Sequence, residues 1–542
     1  MSTQLIIRAP RKRISIKPKA PKITIIRSRK RVTVSPPQVT VEQALQRFRN
    51  WIKNVELDEK SHQIAGMEWC LGHELNATSR FGCRGGIVAD EMGLGKTILM
   101  LGCIVSNFTR RTLIVLPPAL LSQWEQTINK LFGHQPLVYH GHRAKTATPK
   151  QLWAAPIVLT TYGMIADRPS SGNGRPYKSQ LHQIRWNRLI CDEAHHMRND
   201  RTATFKGACK IQARIKWFVT GTPIQNKKSD LYALCALLKI KGYANPYQLS
   251  EIIRQHVLRR TKAGVGIKLP PMKSCTVVVP WDSREEEHLA EQVHSQASFS
   301  AVTAQNVNEV IQFMGHHPLP ILTRARQCCI LPQLIHRAMK RALPDLIDCG
   351  ALSRNARLPK VKTFSKINCV VRMIAKNRNN GKRKLVFSHY RGEIDLLTAL
   401  LRRKGISAEC IDGRASTRVK KSLLTPPLQQ HEWKTVCKKW SHHEFVFDRV
   451  CEFLVPEVLI VQIRTGCEGL NLQQFREIYF TSPHWNPAVE DQAVARSHRI
   501  GQNGDVSVFR FVMNGFGDNT LSIDQYSQKV QDKKREIMRL VD

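Results

Sequence analysis

The 542-residue sequence predicts an α/β protein with two tandem units, each a parallel sheet flanked by helices, helical insertions between them, and a disordered basic N-terminal tail. Three observations carry that expectation. Short apolar runs alternate with helix-like segments from about residue 41 to 240. A second such series fills the C-terminal part of the chain. Residues 1–40 contain no acidic side chain. Strands that alternate with helices imply βαβ units, because two parallel strands need a long crossover between them.

The tail repeats β-branched and cationic stretches, Ile14–Lys19, Ile23–Lys30 and Val32–Val34, interrupted by prolines. It reads as a solvated arm that binds phosphates without sequence preference through counterion release. The Arg11–Arg13 cluster also suits nuclear import. The first α/β unit, with a helical protrusion, is expected over 41–265, with strands at Gly86–Asp90, Thr112–Leu116, Ile157–Thr160, Leu189–Cys191 and Trp217–Thr220. From about 241 to 360 the chain reads mainly helical and basic, with a Pro-rich joint at Leu269–Met272. Residues 266–360 are accordingly assigned to a linker and helical insertion. The second unit is expected over 361–515, with strands at Lys384–Ser388, Ala408–Ile411, Val458–Gln462, Glu477–Thr481 and Val506–Phe511. It carries an inserted loop at 414–456, and a C-terminal helix follows over 516–542.

Hydrophobic residues make up 42% of the chain and aromatics 7%, which suits folded domains and argues against wholesale disorder. The charge is less ordinary: 84 Lys plus Arg against 42 Asp plus Glu gives a formal net charge of +42. Such an excess points to a polyanionic partner, nucleic acid before an anionic membrane. No apolar run reaches the roughly 18 residues that span a bilayer, and the start carries no secretory pattern. The fifteen cysteines are scattered and include no CxxC pair, so they read as reduced core thiols and support neither a zinc ribbon nor a RING. An intracellular protein is expected.

Two motifs bear chemistry. Asp90-Glu-Met-Gly-Leu-Gly-Lys-Thr97 follows an expected strand and precedes the apolar helix Ile98–Val105, as a phosphate-binding loop requires. Gly93 and Gly95 let the backbone N–H groups turn toward phosphate oxygens, and the helix N-terminus adds its dipole. Lys96 would meet the β- and γ-phosphates, and Thr97 would place its hydroxyl on Mg²⁺. Asp90, Glu91, Met92 and Leu94 complete the nucleotide-binding set. Asp90 stands where the general pattern has its first glycine, and a fortuitous Gly-rich turn is the competing reading. Asp192-Glu-Ala-His195 ends the strand Leu189–Cys191. Asp192 can hold the metal, and Glu193 can orient and deprotonate an attacking water. By themselves these carboxylates could equally cap a helix; the loop upstream favours catalysis.

Together these motifs resemble the Swi/Snf-like DNA-dependent ATPases of helicase superfamily two, and the resemblance runs from about Asp58 to Met513. His62-Gln63 with Trp69 is similar to the family's adenine-reading segment, which makes Gln63 the candidate for base recognition. Leu113–Gln123 with Trp124, Thr160-Thr-Tyr162 and Thr220-Gly-Thr-Pro-Ile-Gln-Asn226 resemble the next motifs in order. Leu258-Arg-Arg-Thr-Lys262 and Arg324-Ala-Arg-Gln-Cys-Cys329 resemble inter-lobe signatures. Lys384–Ser388, Thr465–Leu472, Pro483-His-Trp-Asn-Pro487 and Asp491–Gln502 complete the set. The wording around Trp186–Asn199 and His484–Gln502 is most similar to the subgroup of helicase-like transcription factor and transcription termination factor two, without a RING.

The resemblance implies two RecA-like lobes, ATP and Mg²⁺ as cofactors, and a motor moving along duplex DNA. Arg496 and Arg499, three apart on a helix, share one face and would act on the γ-phosphate as arginine fingers; exposed surface arginines are the alternative. Gly469 is expected at the nucleotide, and Gln225, within Thr220–Asn226, in the coupling of nucleotide state to DNA grip. Thr161, Ser388 and Trp485 are the expected DNA contacts, each with a plainer alternative as a strand-end or core residue. Cys437, His442, His443 and Cys451 lie in the insert but match no zinc module, so no structural zinc is expected. Localisation follows the substrate: nuclear, or a viral replication compartment.

Overall fold

A strand buried on both faces reads as a continuous apolar run, and most of the expected strands form as such. The computed structural model describes residues 6–8, 13–15, 39–76, 83–167, 179–225, 227–295, 319–336, 361–414, 456–463, 470–517 and 520–538. The chain divides into two compact units, Met1–Lys268 with Ile537–Asp542, and Leu269–Glu536.

The first unit holds a seven-stranded sheet in the order β5-β6-β4-β7-β8-β3-β9. Its strands are β3 (Gly85–Val88), β4 (Thr112–Leu116), β5 (Leu137–Tyr139), β6 (Ile157–Thr161), β7 (Arg185–Asp192), β8 (Gln212–Val219) and β9 (Val257–Leu258). Every pairing is parallel, so all the strands end on the same edge. Alternate side chains fill two cores, one on each face: Leu113 and Val115 of β4 enter one, Ile114 and Leu116 the other. Helix Val41–Asn54 begins with a reciprocal cap between Thr40 and Gln43 and buries Phe48 and Trp51 in the second core.

The second unit holds a six-stranded parallel sheet in the order β10-β15-β14-β11-β13-β12. Its strands are β10 (Met272–Val279), β11 (Arg383–Ser388), β12 (Ala408–Ile411), β13 (Val458–Gln462), β14 (Phe475–Phe480) and β15 (Val506–Met513). Val386 and Ile460 pack on one face, Leu385 and Leu459 on the other. Helix Ile523–Met538 packs into this unit through Tyr526 and Val530.

One expectation needs correction. Met272–Val279, assigned to a helical linker, is a strand that pairs with β15 along its whole length. Pro270 and Pro271 block a helix there, and the β-branched Thr276–Val279 favour extension. Within the tail, Ile6–Arg8 (β1) and Arg13–Ser15 (β2) pair antiparallel, and the rest of residues 1–38 lies outside the described residues. The insert expected at 414–456 and its four candidate ligands lie outside the described residues. No helix among the described residues is long and apolar enough to cross a membrane.

Candidate functional site

Strands β3, β6, β7 and β8 end on one edge of the first sheet and deliver four of that unit's motifs there. After β3 the chain turns through Gly93 (φ 97°) and Gly95 (φ 86°), both left-handed, and enters helix Lys96–Ser106. Left-handed backbone at two positions in three explains the glycines, because a Cβ would be strained there. The Lys96 ammonium folds back onto the loop, donating to the carbonyls of Asp90 (2.7 Å) and Glu91 (3.2 Å). Burial holds Lys96 below the usual lysine range, against the pull of Glu193, Asp192 and Asp90. Thr97 stands half-buried in the first turn of the helix, and Leu94 is buried beneath the loop.

Asp192 closes β7. Its carboxylate accepts from the Trp124 indole at 3.0 Å and from the Glu193 amide at 3.0 Å, and its carbonyl accepts from the Tyr162 hydroxyl at 2.6 Å. Burial and the neighbouring Glu193 charge raise Asp192 to about 7, with Trp124 and Lys96 opposing. Glu193 adopts φ 52°, unusual for a residue with a side chain. The turn aims its carboxylate at His195, 3.3 Å away, whose Nδ1 also lies 3.3 Å from the Thr220 hydroxyl. Thr220 in turn accepts from the Thr222 amide, and the Gln225 amide group donates to Thr222 at 3.0 Å. Gln225 also takes a bond from Arg198. A Cβ on Gly221 would lie 2.9 Å from Met92 and 3.6 Å from the Lys96 ammonium, so the Thr220–Gln225 segment packs directly on the phosphate loop.

Gln63, at the start of helix Ser61–Leu75, is buried, and a Cβ on Gly95 would sit 2.4 Å from its amide nitrogen. Base-reading and phosphate-cradling candidates therefore touch. The donor set of Asp192, Glu193 and Thr97 is all oxygen, which suits Mg²⁺. The buried Asp192 and the half-buried Glu193 facing one ammonium leave negative charge that a divalent cation would neutralise.

Sequence reasoning missed how Leu258–Lys262 is used. Within the first unit it lies along the phosphate loop. Arg259 donates to the Ala89 carbonyl (2.8 Å) and the Gly221 carbonyl (3.0 Å). Arg260 grips the Asp90 carboxylate through Nε (3.0 Å) and Nη2. Lys262 meets Glu91 at 2.8 Å. Burial works to raise Glu91, but the Lys262 hydrogen bonds hold it below the usual carboxylate range. Trp124 likewise had no role assigned beyond its motif. No signal in the sequence connects these residues to the loop, since about 170 positions separate Arg260 from Asp90.

Thr161 is buried at the end of β6, within 3.1 Å of His140. In the second unit, Ser388 is fully buried at the end of β11. Trp485 is half-buried under the Arg326 guanidinium, edge-on to Tyr526. Arg496 and Arg499, expected on a helix, lie instead in the turns that follow helix Pro487–Val494, so helical spacing does not set their common face. Their segment is stitched to the preceding motif: the Leu472 amide donates to the Arg496 carbonyl at 3.1 Å, and Ser497 donates to the Leu472 carbonyl at 3.1 Å. Burial lowers Arg499, and the Arg496 charge adds to the effect. Gly469 lies outside the described residues, as does Asn226.

The chain matches the SNF2-related domain over residues 62–334. It is 26% identical to a probable global transactivator of Orgyia pseudotsugata multicapsid polyhedrosis virus, over 87% of this chain and 89% of that protein. It is 24% identical to the Arabidopsis thaliana DNA repair protein RAD5B, covering 84% of this chain and 45% of that one. Mouse chromodomain-helicase-DNA-binding protein 6 is 25% identical over 88% of this chain, which spans 17% of it. Among solved structures, the Sulfolobus solfataricus SWI2/SNF2 ATPase core in complex with dsDNA matches at 19% identity and a TM-score of 0.35, over 89% of this chain and 97% of that one.

Proposed function

The chain belongs to the SNF2-related family of ATPase domains, and from that premise we propose that it is a DNA-stimulated ATPase that moves along duplex DNA and displaces or remodels what is bound there. One observation carries the reading: Lys96, Asp192 and Glu193 meet at the edge where the strands of the first sheet end, close enough for the Glu193 charge to bear on the protonation of both Lys96 and Asp192. Ligands of open parallel sheets bind at that edge. The net charge of +42 supports a nucleic-acid partner.

In this reading the glycine turn and the helix N-terminus cradle the phosphates of ATP, and Lys96 leaves its loop carbonyls to meet the β- and γ-oxygens. Mg²⁺ held by Thr97 and Asp192 would neutralise phosphate charge. Glu193, oriented by His195, takes the proton of the attacking water. Arg496 and Arg499 stabilise the charge that develops on the γ-phosphate, a contribution of about 10³–10⁵ in rate for arginine fingers. The Thr220–Gln225 segment reports nucleotide state to the DNA contacts, with Thr161, Ser388 and Trp485 as their proposed members. The chain spans 45% of the Arabidopsis relative and 17% of the mouse one.

The test is ATP hydrolysis without nucleic acid, with single-stranded DNA, with duplex DNA and with RNA, beside Lys96→Ala. Duplex DNA is expected to stimulate the wild type most, and the variant to lose about 10²–10³-fold in rate. Absence of hydrolysis under every condition, alongside tight DNA binding, would move the reading to a non-catalytic DNA-binding scaffold.

A further inference from the structure

Asp90 is the position where the phosphate loop departs from the general glycine pattern, and its surroundings suggest what replaced the glycine. Asp90 is 1% exposed. A carboxylate at that depth needs a partner, and Arg260 supplies a two-pronged one: Nε donates to Oδ1 at 3.0 Å and Nη2 to Oδ2 at 2.5 Å. The remaining prong, Nη1, donates to the carbonyl of His62. One rigid guanidinium therefore bridges the phosphate loop and the first turn of helix Ser61–Leu75.

That turn is held to the loop at two further points. His62 Nε2 lies 3.3 Å from the Leu94 carbonyl, and the Gln63 amide rests on Gly95. Arg260 lies flat against the same helix at Gly66, where a Cβ would stand 2.6 Å from Nη2 and 2.8 Å from Nη1. The arginine itself is fixed, because its carbonyl accepts from the Glu91 amide at 2.8 Å and its neighbour Arg259 bonds the Ala89 carbonyl. Only a planar fork with three directed N–H groups satisfies Asp90 and His62 at once; a lysine ammonium would reach one of them.

We propose that Arg260 is a positioning residue that sets the separation between Gln63 and the phosphate loop, and thereby makes nucleotide affinity depend on the base. The proposal rests on the ATP reading of this site. When the phosphates occupy the loop, the bridge holds the Gln63 amide at one distance from them, so a purine with the matching edge is bound and another is not. Loss of the bridge leaves Gln63 and the loop intact but uncoupled.

The experiment compares Arg260→Lys, Gln63→Ala and the double variant in the full chain, with ATP and GTP as competing substrates under duplex-DNA stimulation. Arg260→Lys is expected to raise KM for ATP about tenfold, as loss of charge-assisted hydrogen bonds does, while kcat stays within about twofold. Its preference for ATP over GTP should fall as far as that of Gln63→Ala, and the double variant should fall no further, because residues acting through one another are not additive. A structural role alone would lower activity with both nucleotides equally. Asp90→Asn, approached from the other side of the bridge, must shift the ratio in the same direction. An Arg260→Lys protein with wild-type melting and wild-type ATP preference would overturn the proposal. Failure of the ATP reading is seen separately, as a wild type that binds neither nucleotide.

Discussion

Strand β7 buries two charges four residues apart, Arg188 and Asp192, and treats them in opposite ways. Arg188 is fully buried in mid-strand, where it donates to both carboxylate oxygens of Glu74, at 2.8 and 2.5 Å, and to the carbonyls of Cys103 and Asn107. Glu74 is completed by the Trp217 indole at 2.7 Å and the Asn107 amide at 2.8 Å. Burial alone would lower Arg188, but the Glu74 charge and hydrogen bonds outweigh it and raise the guanidinium above its usual range. Asp192, at the end of the same strand, has neutral donors and a second carboxylate beside it, and burial pushes it up to about 7. Mid-strand, the fold spends its hydrogen bonds on neutralising a charge. At the edge it leaves one unneutralised, which is where a ligand that brings positive charge gains most.

Breaking the satisfied pair should have the largest effect. Arg188→Met leaves Glu74 buried without its cation and is expected to destabilise the protein by about 3–5 kcal/mol, read from denaturant unfolding. A loss under 1 kcal/mol would show that Trp217 and Asn107 satisfy Glu74 alone, and the contrast along β7 would collapse. Relieving the unsatisfied charge should do the reverse. Asp192 binds its proton more tightly folded than unfolded, so folding stability falls as pH rises from about 4 through 7. Asp192→Asn removes that penalty and should stabilise the nucleotide-free protein on the order of 2 kcal/mol at pH 8, with the gain vanishing near pH 4. Melting curves of both proteins across that range check it, and a gain independent of pH would show that the charge is not its source. The smallest effect concerns backbone strain. Asn tolerates left-handed backbone better than Glu, so Glu193→Asn should add about 0.5 kcal/mol of stability while abolishing hydrolysis. A destabilised variant would mean that the His195 contact outweighs the strain.

The strands of the two large sheets that the sequence failed to show share one property. β5, β9 and β10 are all edge strands. An interior strand of a parallel sheet is covered on both faces and paired on both sides, so Leu113–Leu116 or Leu385–Phe387 must be apolar throughout. An edge strand is under weaker demand: Met272 and Val278 of β10 are exposed, and Lys273 and Ser274 break the apolar run. β12, the fourth edge, was legible because its end residues Ala408 and Ile411 are buried. In the candidate site, the residues proposed to face a nucleotide carried their own local signature, glycines before Lys96 and paired acids at the end of β7. The residues that hold them did not, since Trp124, Arg259 and Arg260 reach their partners only through the fold.

The sequence by itself determined the fold class, most interior strands, the phosphate loop and the acid pair, because each is written in consecutive residues whose spacing answers to local geometry. Tertiary structure alone decided that Leu258–Lys262 clamps the phosphate loop, that Trp124 seats Asp192, and that Trp485 packs half-buried beneath Arg326. It also decided which of the two charges on β7 would be neutralised. Those outcomes depend on side chains brought together across the sheet from distant parts of the chain, and no local pattern encodes the meeting of such residues.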